Sequence, residues 1–274
     1  MTDDRPLSFG FLDVPLRKGK PRTNGLTIVR DRMRGLGEQR EFLQTYAQFV
    51  DQVKISNMAP RLYPEAFLIE KLDLYRAFDV HPFIGGIMFE NAYAQGKEDA
   101  FFDYFQRLGN PGIEISDNII DISERELLTN VTRAKKAGLS VVVEWGEKYP
   151  STIFDPAKAA IDMEKCLSAG ASHIIFERAE LDQIFAAEDI DSALALLSDL
   201  CNRVGNDNLI FEVETQPQMV GVLRQLGRDV NLGPNIDFEL VKWLEPSRLG
   251  ISREMGHTTI ETAIGADGVR SRLF

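Results

Sequence analysis

Histidine is nearly missing from this chain, with three in 274 residues: His81, His173 and His257. Cysteine is scarcer still, and Cys166 and Cys201 stand far apart in sequence. These shortages leave little for Ser–His or Cys–His nucleophilic chemistry and nothing with zinc-ligand spacing. The lack of a disulfide framework predicts a reducing, cytoplasmic setting. Long apolar runs are missing too, so no segment is expected to span a bilayer. The opening "MTDDRPLSFG" has no apolar stretch of the kind a signal peptide needs. Cationic charge is in short supply: 31 Lys and Arg face 42 Asp and Glu, for a net charge of −11. Such an acidic chain is a poor partner for nucleic acid or an anionic membrane.

What is present is a core-forming composition, 44% hydrophobic, enough for one large domain. Short apolar runs recur along the chain: "LTIVRD" (26–31), "QVKIS" (52–56), "PFIGG" (82–86), "GIEIS" (112–116), "SVVVEW" (140–145), "HIIFER" (173–178), "LIFEVE" (209–214) and "VNLG" (230–233). Between them lie amphipathic segments such as "EDAFFDYFQRLG" and "ERELLTNVTRAKKAG", with apolar residues spaced by three and four. Most end in Gly, a helix stop. Ser123, with Glu126 three residues on, fits a capping box. Eight strand–helix units over about 250 residues predict a (β/α)8 barrel across residues 1–253 as a single domain. The competitor is a doubly wound open sheet, but "RDRMRGLG" after the first strand is not a glycine-rich phosphate turn. Residues 254–274 are expected to form a tail beyond the last unit.

Side chains alternate across a strand, and in a barrel the helix-facing set must be apolar. In "GIEIS" this sends Ile113 and Ile115 outward and Glu114 inward. The same rule points Lys54, Glu144, Glu177 and Glu212 into the interior, near the C-terminal strand ends where barrel enzymes keep their chemistry. His81 and His173 fall at the opposite end and are expected to be structural. Several interior carboxylates cannot all be ionised without cations. Lys54, Lys148 and Arg178 supply part of the positive charge. The remainder points to a bound metal, and an all-oxygen donor set suits Mg²⁺ better than Zn²⁺. An ion-pair network filling the barrel is the alternative.

Several motifs then resemble the phosphosulfolactate synthase family, whose members add sulfite to phosphoenolpyruvate. "KPRTNGLTIVRD", "FIGGIMFENAYAQGK", "GIEISDNIIDI", "VVVEWGEKYP", "LIFEVE", "VNLGPNI" and "RLGIS" carry the likeness in order, over nearly the whole chain. The resemblance implies a barrel, Mg²⁺ and a small anionic substrate like phosphoenolpyruvate. It assigns the proton donor to Lys148. The expected catalytic set is Lys148, Glu144 and Lys54. The expected metal ligands are Glu114, Asp117, Glu144, Glu177 and Glu212. Gly233, Asn235 and Arg248 are expected at the substrate phosphate, and Arg178 with Lys54 at the sulfonate.

The chain departs from the family pattern at the pocket: Glu147 replaces a lysine, Asn118 a glycine, and Arg32–Met33 a Lys–Gly step. Glu147 is expected beside Lys148, raising its pKa and repelling a dianionic nucleophile. This predicts another nucleophile or another carboxylate substrate. Two further readings differ in class. One is an aldolase-type lyase with Lys148 or Lys54 as a Schiff base. The other is a non-catalytic barrel, since plant members of the family are associated with heat stress. A homo-oligomer is expected, because barrels of this size often self-associate.

Overall fold

The computed structural model describes residues 8–255. The expected tail lies almost wholly outside the described residues. The strands are β1 (Thr27–Asp31), β2 (Gln52–Ile55), β3 (His81–Ile84), β4 (Gly112–Ile115), β5 (Val141–Trp145), β6 (His173–Phe176), β7 (Leu209–Phe211) and β8 (Asn231–Ile236). All neighbours pair in parallel, and β8 returns to β1, closing an eight-stranded barrel. Around it run α1 (Leu36–Tyr46), α2 (Ala59–Leu62), α3 (Glu65–Ala77), α4 (Gly86–Ala94), α5 (Glu98–Arg107) and α6 (Glu124–Lys136). The ring continues with α7 (Pro156–Ala169), α8 (Arg178–Phe185), α9 (Ile190–Val204), α10 (Gln216–Leu226) and α11 (Val241–Arg248). The protein is a single-domain (β/α)8 barrel, and the strand runs read from sequence are its strands.

Local chemistry fixes the helix ends. Ser123 caps α6 by accepting from the Glu126 amide, as expected. The return half of the box is altered: Ser123 Oγ donates to the Glu126 carboxylate. Gly170 closes α7 at a positive φ of 119°, a conformation that would strain a side chain. Among the described residues, no helix is long and apolar enough to cross a membrane.

The core has two layers. The larger lies between sheet and helices and takes the outward strand residues, Val29, Ile113, Val143, Ile174 and Phe211 among them. The smaller fills the barrel floor with Leu26, Ile28, Phe83, Val142, Ile175 and Ile210. Asp31 has the parity of Val29, so it faces the helices. There it is fully buried, 2.5 Å from Lys71 Nζ, and accepts from Tyr75 Oη at 2.6 Å.

The lower end of the barrel is closed by the segment before β1. Arg17 pairs with Glu245 at 2.5 Å, and Arg22 pairs with Asp51 at 2.7 Å. Arg248 belongs to this end, against expectation. It is 2% exposed, and its guanidinium donates to the carbonyls of Arg228, Val230 and Leu26. The reason is direction: α11 runs back along the barrel, so its C-terminus lies at the N-terminal ends of β1 and β8. Arg248 is therefore structural and does not reach the substrate end.

Candidate active site

Two residues beyond the floor, the inward positions change character. Ile28 is followed by Arg30, Val142 by Glu144, Ile175 by Glu177 and Ile210 by Glu212. Lys54, Glu114 and Asn235 join this layer from β2, β4 and β8. The corresponding β3 position is Gly85, where an added Cβ would stand 3.1 Å from Lys54 Cε. Next to it, a Cβ on Gly86 would fall 2.1 Å from Ser116 Oγ. The glycines thus leave room for the charged side chains. The layer floors a cavity of about 750 Å³ that opens at the C-terminal strand ends.

The interior pairing is specific. Lys54 Nζ lies 2.7 Å from Glu114 Oε2 and 3.9 Å from Glu144 Oε2. Lys148 Nζ reaches Glu144 Oε1 at 2.7 Å and also bonds Glu177. Asn118 Nδ2 donates to the same Glu144 oxygen at 2.7 Å. Glu114 accepts the Gly86 amide at 2.9 Å, and Glu212 accepts the Arg178 amide at 3.0 Å and the Asn235 amide group. Glu177 also caps α8 through the Ala179 amide.

The four glutamates are buried, and among the described residues two lysines, Lys54 and Lys148, pair with them. Burial, reinforced by a hydrogen bond with Glu144 and the charge of Glu212, pushes Glu177 up to about 9. Burial likewise raises Glu114 to about 7 against the pull of Lys54. Burial also opposes ionisation of Glu144, but Lys54, its bond with Glu177, and Lys148 hold it well below the usual carboxylate range. Both lysines resist the lowering effect of burial and are held above their ordinary value by these glutamates.

Carboxylate oxygens of Glu144, Glu177 and Glu212 lie within 4.8 Å of one another, all buried. This set fits a divalent cation on two counts. Its donors are hard oxygens, and it carries more negative charge than the two lysines balance. A bound cation would remove the need for Glu177 to keep a proton. The structure thus brings together three of the five expected metal ligands. Glu114 is engaged by Lys54 instead. Asp117 is exposed and lines a neighbouring cleft rather than the barrel cavity.

Asn235 lines the cavity. Gly233, at φ 143°, packs against β1, where a Cβ would lie 2.4 Å from the Ile28 carbonyl oxygen. Arg178 sits higher on the rim, paired with Asp182 and with Glu214 at 3.5 Å. Glu147 does not stand against Lys148. It lines the neighbouring cleft beside Trp145 and Glu180, and its amide donates to Glu180 at 2.9 Å. The carboxylates at Lys148 are Glu144 and Glu177, so the expected repulsion by Glu147 is absent from the cavity.

Two residues went unread in the sequence. Arg30 enters the cavity wall from β1, held by Glu214 and Asp237, each at 2.8 Å. The parity that placed Asp31 outward placed Arg30 inward. Glu90, on α4, is 1% exposed. Its carboxylate accepts Ser116 Oγ at 2.5 Å and the amides of Asn118, Ile119 and Ile120 at 3.1, 2.6 and 3.3 Å. It therefore holds the loop that aims Asn118 at Glu144. It stands in the stretch "FIGGIMFENAYAQGK" that carries the family likeness, but the motif does not show its role, because its partners lie about thirty residues away.

The barrel shape recurs in a solved 3-hexulose-6-phosphate synthase, with a TM-score of 0.51 over 81% of this chain and 99% of that one, at 16% identity. That likeness concerns fold alone. Sequence likeness goes further. The chain is 32% identical to the phosphosulfolactate synthase of Methanothermobacter thermautotrophicus over 248 residues, 89% of this chain and 95% of that protein. It is also 32% identical to the phosphosulfolactate synthase of Methanocaldococcus jannaschii over 236 residues, 83% of this chain and 92% of that protein. Residues 15–254 match the family model described as (2R)-phospho-3-sulfolactate synthase (ComA). The barrel, its interior carboxylates and these matches lead to one assignment: the chain belongs to the phosphosulfolactate synthase family.

Proposed function

We propose that the protein catalyses a Mg²⁺-dependent addition of sulfite to phosphoenolpyruvate. The observation that carries this reading is the contact of Lys148 with Glu144 and Glu177 at the edge of the buried carboxylate triad. Glu144, Glu177 and Glu212 would hold the cation. When bound, Mg²⁺ supplies a positive charge against which a substrate carboxylate can accumulate negative charge.

The chain's own residues account for the rest. Sulfite sulfur bonds to the methylene carbon of phosphoenolpyruvate, and the π pair moves toward the carboxylate-bearing carbon. Lys148, kept cationic by its two glutamates, gives that carbon a proton. Its side chain is 37% exposed, so it can be reprotonated from solvent. Arg30 and Arg32, both on the cavity wall, face the phosphate, and Lys54 neutralises the anions below. Glu147, the departure expected to repel a dianionic nucleophile, lies in the other cleft and so does not weigh against sulfite at Lys148.

A Schiff-base lyase is disfavoured by the same electrostatics. An amine held cationic is a poor nucleophile toward a carbonyl, and both interior lysines are raised. The test is phosphorus NMR of the protein with phosphoenolpyruvate, sulfite and Mg²⁺. A new phosphoester signal that vanishes with EDTA and in Lys148→Ala is expected. A signal that survives Lys148→Ala unchanged removes the proposed acid.

A further inference from the structure

The cavity is wider and more apolar at its mouth than a three-carbon acid requires. Among the described residues, twelve large apolar side chains are exposed, and four of them, Met33, Leu62, Ile119 and Tyr149, line this one cavity. They are 52%, 67%, 62% and 94% exposed. Scattered exposed apolar residues are ordinary; a group converging on one pocket marks a binding surface. Met58 and Ile87 also line the cavity. These side chains come from the segments that follow β1 to β5, with Leu62 at the end of α2 and Ile87 in the first turn of α4. The β7 and β8 side of the cavity contributes the polar Glu212 and Asn235. The cavity is therefore charged at the floor and apolar along one side of its mouth. Its volume of about 750 Å³ is in the range that encloses a ligand well beyond a three-carbon phosphorylated acid.

We infer that this protein takes a ligand with two ends: an anionic carboxylate–phosphate head at the floor and an apolar substituent along the collar of Met33, Leu62, Ile119 and Tyr149. The inference rests on the proposed function for the head and goes beyond it for the substituent. The collar does not change the chemistry at Lys148. Phosphoenolpyruvate itself binds through the head alone, and among phosphoenolpyruvate-like acceptors the collar gives a tighter hold to those carrying a hydrocarbon group.

The test uses phosphonoacetate and its 2-alkyl homologues, 2-phosphonobutanoate, 2-phosphonohexanoate and 2-phosphonooctanoate, titrated calorimetrically with Mg²⁺ present. Octanoate alone serves as the control for greasy binding. Burial of each methylene is expected to tighten binding about threefold to fourfold while the chain stays on the collar. Octanoate is expected not to bind. The Leu62→Ser/Ile119→Ser double variant, altered only at exposed positions, is expected to flatten the slope. A flat or falling series with phosphonoacetate still bound overturns the collar and leaves the head reading standing. A slope that persists undiminished in the double variant also overturns it. Failure of phosphonoacetate itself to bind overturns the head reading, and the inference with it.

Discussion

Replacing Glu90 with Gln should loosen the loop after β4 without touching the cavity directly. The buried carboxylate accepts one hydroxyl and three consecutive backbone amides. Glutamine keeps one acceptor oxygen and turns a donor toward groups that also donate, so about two of the four bonds are lost. Hydrogen bonds to a charged group contribute about 1.5–3 kcal/mol each, which puts the loss near 3–6 kcal/mol if nothing rearranges. Relaxation toward solvent, available because Ile119 is exposed, should bring it to about 3 kcal/mol. Hydrogen exchange reads this directly. The amides of Asn118, Ile119 and Ile120 should exchange about a hundredfold faster in Glu90→Gln, since about 1.4 kcal/mol is tenfold. The melting point should fall by roughly 6–12 °C. Turnover should fall as well, because Asn118 loses its fixed aim at Glu144. Unchanged exchange at these three amides would refute the idea that Glu90 holds the loop.

Arg248 gives a second, sharply divided expectation. Arg248→Met leaves the carbonyls of Arg228, Val230 and Leu26 without their donor, so stability should drop by about 3–5 kcal/mol, as for a broken buried charge network. In protein still folded at low temperature, KM should stay within about twofold of the parent; a tenfold rise would return Arg248 to the substrate site. Glu177 gives the pH dependence. Its folded pKa, near 9, lies above its usual value of about 4.5, so between these the folded state holds a proton that the unfolded state has lost. Without metal, its contribution to stability is complete below about pH 4.5. It fades by up to about 1.4 kcal/mol per pH unit as pH rises toward 9. The melting point in EDTA should therefore fall from pH 6 to 9, and Glu177→Gln should lessen that slope. A parent melting point that rises over this window contradicts the assignment.

The readable parts of the molecule are those set by local period. Alternation along a strand placed Lys54, Glu114, Glu144, Glu177 and Glu212 inside, because a one-residue error would bury charge among the helices. The same alternation, carried one strand further, marks Arg30. Asp117 escaped the rule because it lies past the end of β4, where the loop rather than the pleat sets direction. Glu147 escaped for a similar reason: Gly146, at φ 125°, turns the chain after β5, so neighbours Glu147 and Lys148 face different cavities. Arg248 was misplaced because a helix lets its two ends reach opposite ends of the barrel. The role of Glu90 was not legible, although it stands in a family-like stretch, because that role depends on a loop brought near only by the fold.

The proposed chemistry depends on Glu144, Glu177 and Glu212 forming a divalent-cation site inside the barrel. Electron paramagnetic resonance of Mn²⁺ titrated into the protein, with Mg²⁺ as competitor, tests it most directly. One Mn²⁺ should bind per chain, be displaced by Mg²⁺, and bind at least tenfold more weakly in Glu212→Gln. Stoichiometric binding that is untouched by Glu212→Gln, or no binding in the parent protein, would contradict it.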